Sequence, residues 1–177
     1  MERKKARKTG FTLIELLIAI TIIGILVAVG LGSFGSAQKK ARDAKRKTDL
    51  ESIARALELY YNDYGSYPIV DTGLIRGCGT TAVPTNCSWG GSFTKDGIQY
   101  MVELPDDPNG DYWYVSGGPS YQLYARLENT SDGAVPHSGA TAQAYTGTVC
   151  RSGALEKCNY GIRSSNTSVQ GIVGNDD

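Results

Sequence analysis

Phe11 to Leu31 forms a run of twenty-one residues with no charge except Glu15, and it follows a ten-residue segment holding five basic side chains and one acid, Glu2. About 20 apolar residues suffice to span a bilayer as a helix. Lys and Arg beside such a span stay on the cytoplasmic side, which places the remainder of the chain outside. A conventional secretory signal has an apolar core of roughly 7–15 residues; this run is longer and is interrupted by a carboxylate. Gly35-Ser36-Ala37 offers the small residues of a conventional cleavage site, and cutting there would release a soluble chain from Gln38. An uncut anchor beginning at Met1 is the other ordinary reading. Neither gives Glu15 a purpose, although a carboxylate in hydrocarbon costs roughly 2.5–3.5 kcal/mol and normally has a partner. Cleavage after Gly10 would create one in the new ammonium of Phe11.

Beyond the apolar run the period stays helical. Over residues 38–64, Leu50, Ile53, Ala54, Leu57, Tyr61 and Tyr64 recur at three- and four-residue steps and mark one apolar stripe expected to dock on a sheet. Asp49, Glu51, Arg55 and Glu58 fall elsewhere on the helix. The basic run Lys39 to Lys47 reads as a solvated face. Gly24, Gly30, Gly32 and Gly35 weaken the middle of the helix, at about 1 kcal/mol each relative to Ala, or permit close backbone approach. Gly65 and Pro68 end it. Further on, Tyr112 to Val115 and Tyr121 to Glu128 read as two strands joined at Gly117-Gly118-Pro119, with Tyr121, Leu123, Ala125 and Leu127 on one face. Residues 69–98 and 130–177, rich in Gly, Ser and Thr, read as long loops.

At the start of the chain, Gly10-Phe11-Thr12-Leu13-Ile14-Glu15 behind a basic leader resembles the class III signal of type IV pilins and type II secretion pseudopilins. Thr48 to Pro68 is similar to the end of their long helix. The resemblance implies a pilin-like α+β fold, with a long N-terminal α-helix packed on a small antiparallel β-sheet head with long loops. It divides the chain into a cleaved leader (1–10), a transmembrane and assembly helix (11–37) and a globular head (38–177). It also implies that prepilin peptidase cuts between Gly10 and Phe11 and methylates the Phe11 amine, and that Glu15 meets this amine on a neighbouring subunit. The product is a homopolymer extended by an inner-membrane assembly platform and an external ATPase. The subunit is then a single-pass membrane protein, cytoplasmic at its N-terminus, before assembly, and part of a cell-surface pilus for adhesion, motility or DNA uptake afterwards. The alternatives are a major pseudopilin of a type II secretion system and a secreted or tethered binding domain that never polymerises.

Charge and candidate chemistry narrow this picture. The leader carries +4, residues 11–55 carry +3 and residues 56–177 carry −7, and so acidic a head argues against unaided nucleic-acid binding. Four cysteines in an extracytoplasmic head imply disulfides. Three pairings exist, of which Cys78 with Cys87 and Cys150 with Cys158 are favoured because each staples one loop; the second fits the C-terminal disulfide loop common among type IV pilins. No catalytic residue is expected: His137, the only histidine, lies in a loop without a nucleophile motif, and no P-loop is present. No cofactor is expected beyond calcium, for which Asp107, Asn109 and Asp111 are candidate ligands in an acidic turn. Major pseudopilins carry a calcium loop, but the pattern here departs from theirs and from the EF-hand.

Overall fold

A computed structural model describes residues 10–107, 109–145, 147–150, 156–166 and 172–173, with the side chains of residues 29–33 and 172–173 left aside. Residues 1–9 of the expected ten-residue leader and most of the C-terminal tail lie outside the described residues. The chain divides into two compact units, residues 1–39 and 40–177. Helix α1 (Leu13–Tyr64) contributes to both.

The helix begins at a capping box. Glu15 N donates to Thr12 Oγ1 (3.3 Å), while Glu15 Oε2 accepts from Thr12 N (2.9 Å) and from Thr12 Oγ1 (2.7 Å). Two otherwise orphaned backbone donors are thereby satisfied. The Thr-x-x-Glu spacing was in plain sight in the sequence, and it provides Glu15 with a partner inside its own chain. At the other end Gly65 takes φ +70 and its N–H bonds the Tyr61 carbonyl (2.8 Å), a left-handed cap three residues before Pro68. Gly24, Gly30, Gly32 and Gly35 all lie within the helical span.

In the second unit the docking stripe differs from the expected one. The positions turned inward are Asp43, Arg46, Leu50, Ile53, Leu57 and Tyr60, with Ala56 beside them; Ala54 and Tyr64 are only half-buried and Tyr61 is exposed. Leu57 to Tyr60 is a step of three where a step of four to Tyr61 was read. The aromatic rings of Phe93 and Tyr100 lie on the Tyr60 side, at 5.6 and 5.4 Å between centroids.

Residues 69–98, read as loops, hold four short strands and the start of a fifth: β1 (Ile69–Asp71), β2 (Leu74–Gly79), β3 (Pro84–Cys87), β4 (Phe93–Lys95) and β5 (Ile98–Met101). β2 pairs antiparallel with β1 and β3 and meets β4 in parallel at Gly79 and Lys95; β5 closes the sheet against β4. Two-residue turns make the β1–β2 and β4–β5 hairpins. Thr72 with Gly73 and Asp96 with Gly97 all have positive φ, the conformation that matches the twist of the flanking strands. Asp96-Gly97 is a strong hairpin signal that the Gly- and Thr-rich composition concealed.

A second sheet has the order β11-β7-β6, formed by β6 (Trp113–Ser116), β7 (Tyr121–Ala125) and β11 (Tyr160–Arg163), all antiparallel. Its β6–β7 hairpin turns where expected, with Gly117 N donating to the Ser120 carbonyl (3.0 Å). Minor pairs are β8 (His137–Ser138) with β9 (Thr141–Ala142) and β10 (Ala144–Tyr145) with β12 (Ile172–Val173). Tyr121, Leu123 and Ala125 face the core under α1, as the alternation predicts. The opposite face is covered as well, because Tyr124 packs with Tyr145 and the Cys150–Cys158 disulfide in a second cluster. Every residue of β7 is buried in consequence.

Tyrosine is unusually frequent in this core, and its hydroxyls find partners there. Tyr112 donates to Asp49 (2.7 Å), Tyr114 to the Pro68 carbonyl (2.8 Å) and Tyr67 to Glu58 (3.0 Å), while Tyr60 accepts from Lys95 (2.8 Å). A buried phenol without such a partner would lose about 1–3 kcal/mol of what its ring contributes.

Candidate functional site

Two regions carry the features that matter, one in each unit. In the first, Gly10 and Phe11 precede α1 and are open to solvent, Phe11 at 90% exposure. The Gly10–Phe11 bond is thus accessible on its own chain. From Leu13 to Ala28 the apolar side chains are also exposed. Water is a poor environment for so much contiguous apolar surface, and such patches mark surfaces that lipid or other subunits cover. Among the described residues no helix is long and apolar enough to cross a membrane. The unbroken described part of the apolar run ends at Ala28, short of the roughly 20 residues a span needs; the expected run to Leu31 continues into the side chains left aside, and Phe34 beyond them is again exposed.

The head is organised around a charged cluster at the base of its helix. Arg46 is 2% exposed and donates through Nε and Nη2 to Asp107 (2.5 and 2.9 Å), and through Nη1 to Asp43 (2.8 Å) and Glu128 (3.0 Å). Arg42 adds a two-pronged contact to Glu128 (2.7 and 2.6 Å). Asp43, itself 2% exposed, accepts from the backbone N–H groups of Glu128 and Asn129 (2.9 and 2.8 Å). The basic run is therefore not simply a solvated face: Asp43 and Arg46 point inward and Lys47 pairs with Asp132 (2.7 Å), whereas Lys45 stays outside with Asp49. The physical reason is satisfaction of charge. Two loops deliver carboxylates and backbone donors to the helix, and a buried ion persists only when it is paired and hydrogen-bonded.

Electrostatics in the cluster follow the contacts. Burial opposes the charge on Arg46, but the bonds from Asp107, Glu128 and Asp43 outweigh it and raise its pKa. The hydrogen bonds from Arg42 bring Glu128 down to about 2 against the opposing effect of burial, with Arg46 contributing further. A carboxylate whose folded pKa is depressed stabilises the fold above its unfolded value and loses that contribution as pH falls through the folded value. Between pH 4.5 and about 2 the head is expected to lose stability, and Glu128→Gln is expected to flatten that dependence. Urea midpoints measured across this range check it; an unchanged slope in the variant would show that other carboxylates dominate.

Of the candidate calcium ligands, Asp107 has both oxygens engaged by Arg46. Asn109 donates its backbone N–H to Asp107 (2.9 Å) and its side-chain amide to Glu128 (3.3 Å), and Asp111 donates its backbone N–H to the Cys150 carbonyl (2.8 Å). Among the described residues no group of three or more His, Cys, Asp or Glu side chains is arranged to hold a metal ion. Asp107 is thus a counter-ion for Arg46 of the helix. His137 is exposed in the β8–β9 hairpin, with Nε2 2.8 Å from the Thr130 carbonyl oxygen.

Cys78 is joined to Cys87 and Cys150 to Cys158, with Cα–Cα distances of 5.3 and 5.1 Å. The first ties β2 to β3. The second anchors the segment that covers the outer face of β7, although residues 151–155 of its loop lie outside the described ones. Closing so short a loop contributes roughly 2.5 kcal/mol in the chain-entropy account. Replacing Cys150 and Cys158 together by Ser is expected to lower urea stability by about that amount; a loss under roughly 0.5 kcal/mol, within surface-substitution scatter, would mean the staple is idle.

A long N-terminal helix whose second half is packed by a small sheet head, preceded by an accessible Gly-Phe-Thr-Leu-Ile-Glu segment, defines a pilin-like subunit. The prokaryotic N-terminal methylation motif matches residues 5–31, and the type II secretion system protein G family matches residues 33–144. The chain belongs to the type II secretion system protein G family, within the wider pilin and pseudopilin group; it is a family of structural subunits rather than of enzymes. It is similar to type II secretion system core protein G of Vibrio cholerae, at 34% identity over 119 residues (66% of this chain and 76% of the relative). The Pseudomonas aeruginosa core protein G is 33% identical over 125 residues (69% and 84%), and that of Escherichia coli 31% over 132 residues (74% and 87%). No solved structure matches the chain. The family match stops at residue 144, whereas β11 and the second disulfide lie beyond it.

Proposed function

We propose that this chain is the major pseudopilin type of subunit of a type II secretion system, cut by a prepilin peptidase after Gly10, methylated on Phe11 and polymerised through its N-terminal helix. The observation that carries this reading is the match of residues 33–144 to the protein G family. An N-terminal methylation motif is common to pilins and pseudopilins; the head is where the two diverge, and the relatives named above are core protein G subunits. The sequence resemblance put a surface pilus first, and the comparisons favour its alternative. Before assembly the subunit is membrane-anchored, head outward. Its partners are other copies of itself, the peptidase, and an inner-membrane platform with an external ATPase. Support for anchoring is the methylation motif together with the exposed apolar first half of α1.

One observation favours the surface-pilus reading: the Cys150–Cys158 segment, which covers the outer face of β7, lies beyond the family match. Deletion of the gene separates the two. Loss of exoprotein secretion with surface filaments intact supports the pseudopilin; loss of sheared filaments with secretion intact supports the pilus. Intact-mass and N-terminal peptide spectrometry of the membrane fraction tests the processing common to both, with a chain beginning at N-methylated Phe11 as the expected result. A mature chain beginning at Met1 or Gln38 would overturn both and leave a non-polymerising domain.

A further inference from the structure

The acidic turn between β5 and β6 contains Asn109 followed by Gly110. Asn109 is exposed, and both residues lie outside the helix and the strands. Their hydrogen bonds are long: Gly110 N–H reaches the Asp107 carbonyl at 3.4 Å, and Asn109 Nδ2 reaches Glu128 Oε1 at 3.3 Å. Together they line a cleft of about 270 Å³ with Arg126, Glu128 and Glu156.

This pair has a chemistry of its own. The backbone nitrogen that follows an asparagine can attack the side-chain carbon Cγ and close a five-membered imide. Glycine obstructs that attack least, having no Cβ to crowd the approach and the widest backbone freedom. Of the seven asparagines in the chain, Asn109 alone precedes glycine. The others that are described are held or hindered. Asn62 lies in α1 and Asn86 in β3, and Asn159 is buried with both side-chain polar atoms bonded to the Leu127 backbone (2.6 and 3.0 Å). Asn129 and Asn166 precede the β-branched Thr130 and Thr167.

We propose that Asn109-Gly110 is a site of spontaneous deamidation, and that the carboxylate it creates weakens the charged cluster at the base of the head. Gly110 N loses its proton to solvent and bonds to Asn109 Cγ. The Cγ–Nδ2 bond breaks, and the amide nitrogen takes up a proton and leaves as ammonia. Water then opens the imide at either carbonyl, giving aspartate, or isoaspartate with an extra methylene in the backbone path. The position gives the change its effect. Asp43, Asp107 and Glu128 already face only two guanidiniums, those of Arg42 and Arg46, and Arg126 is taken by Glu156 at 2.9 Å. Deamidation removes the amide donor to Glu128 and sets a further negative charge beside it. The site is independent of whether the subunit serves a pseudopilus or a pilus.

The experiment ages the purified full chain in detergent at mildly alkaline pH and follows the tryptic peptide from Asp96 to Arg126, in which Asn109 is the only asparagine. The mass gain of amide-to-carboxylate conversion is expected in this peptide ahead of those carrying Asn86 or Asn129, with both aspartate and isoaspartate products. Circular dichroism confirms that the aged chain stays folded. Gly110→Ala is expected to slow the gain at least about tenfold, which needs only a modest rise in the barrier. Asn109→Asp supplies the product directly and is expected to lower the urea midpoint by about 0.3 M. No gain at position 109 in the folded chain, or an equal gain at Asn86 or Asn129, overturns the site. A midpoint for Asn109→Asp equal to that of the parent overturns the effect on the cluster.

Discussion

Arg46→Ala is expected to destabilise the head by about 3–5 kcal/mol, the range measured when one member of a buried ion pair is removed. The size of the effect comes from what is left behind. Asp43 and Asp107 are 2% and 7% exposed, and without the guanidinium each is a buried carboxylate held only by backbone donors, from Glu128 and Asn129 and from Asn109. Against a typical domain stability of 5–15 kcal/mol this is a large fraction, enough to lower the yield of folded protein. Arg46→Lys keeps the charge but cannot bridge Asp107, Asp43 and Glu128 at once, so an intermediate loss is expected. The double change Arg46→Met with Asp107→Leu removes both charges and is expected to be less damaging than Arg46→Ala. Urea denaturation of the four proteins decides the matter. A loss under 1 kcal/mol for Arg46→Ala, the scale of an exposed pair, would mean that water reaches the cluster and screens it.

The second large effect is on assembly, and the capping box makes it separable from helix stability. Glu15→Gln retains a side chain suited to the third helical position but has no charge. Thr12→Ala loses the cap, at about 1 kcal/mol of local helix stability, and keeps the carboxylate. If Glu15 acts by pairing with the Phe11 ammonium of a neighbouring subunit, Glu15→Ala and Glu15→Gln are both expected to be cleaved normally. Both should lower the yield of pelletable polymer at least about tenfold, equivalent to ~1.4 kcal/mol per subunit. Thr12→Ala is expected to assemble near the parent level. Abundant polymer from Glu15→Gln would reduce Glu15 to a cap.

Much of this arrangement is legible in the chain because it depends on near neighbours. The start of the helix, its cap at Gly65 and the β6–β7 hairpin each rest on residues within a few positions of one another. Where the reading went astray, the deciding contact was remote or masked by composition. Tyr61 and Tyr60 fit a helical stripe about equally well, and the sheet carrying Phe93 and Tyr100 chose between them. The strands between residues 69 and 101 are short, and a window of Gly, Ser and Thr shows no period, so only the turn pair Asp96-Gly97 betrays one hairpin.

By itself the sequence determined the basic leader, the apolar run with its one carboxylate, the Gly-Phe junction and the amphipathic second half of α1. Each is written in consecutive residues and follows from hydrophobicity, helical period and local capping. Tertiary structure alone decided that the inward stripe continues past Leu50 through Arg46 to Asp43, and that both faces of β7 are covered. Arg46 can lie inside only because Asp107 and Glu128 arrive from 61 and 82 residues further along the chain. Local pattern treats a charged residue as a solvated one, and the free energy of burying it depends on partners that the fold brings to it.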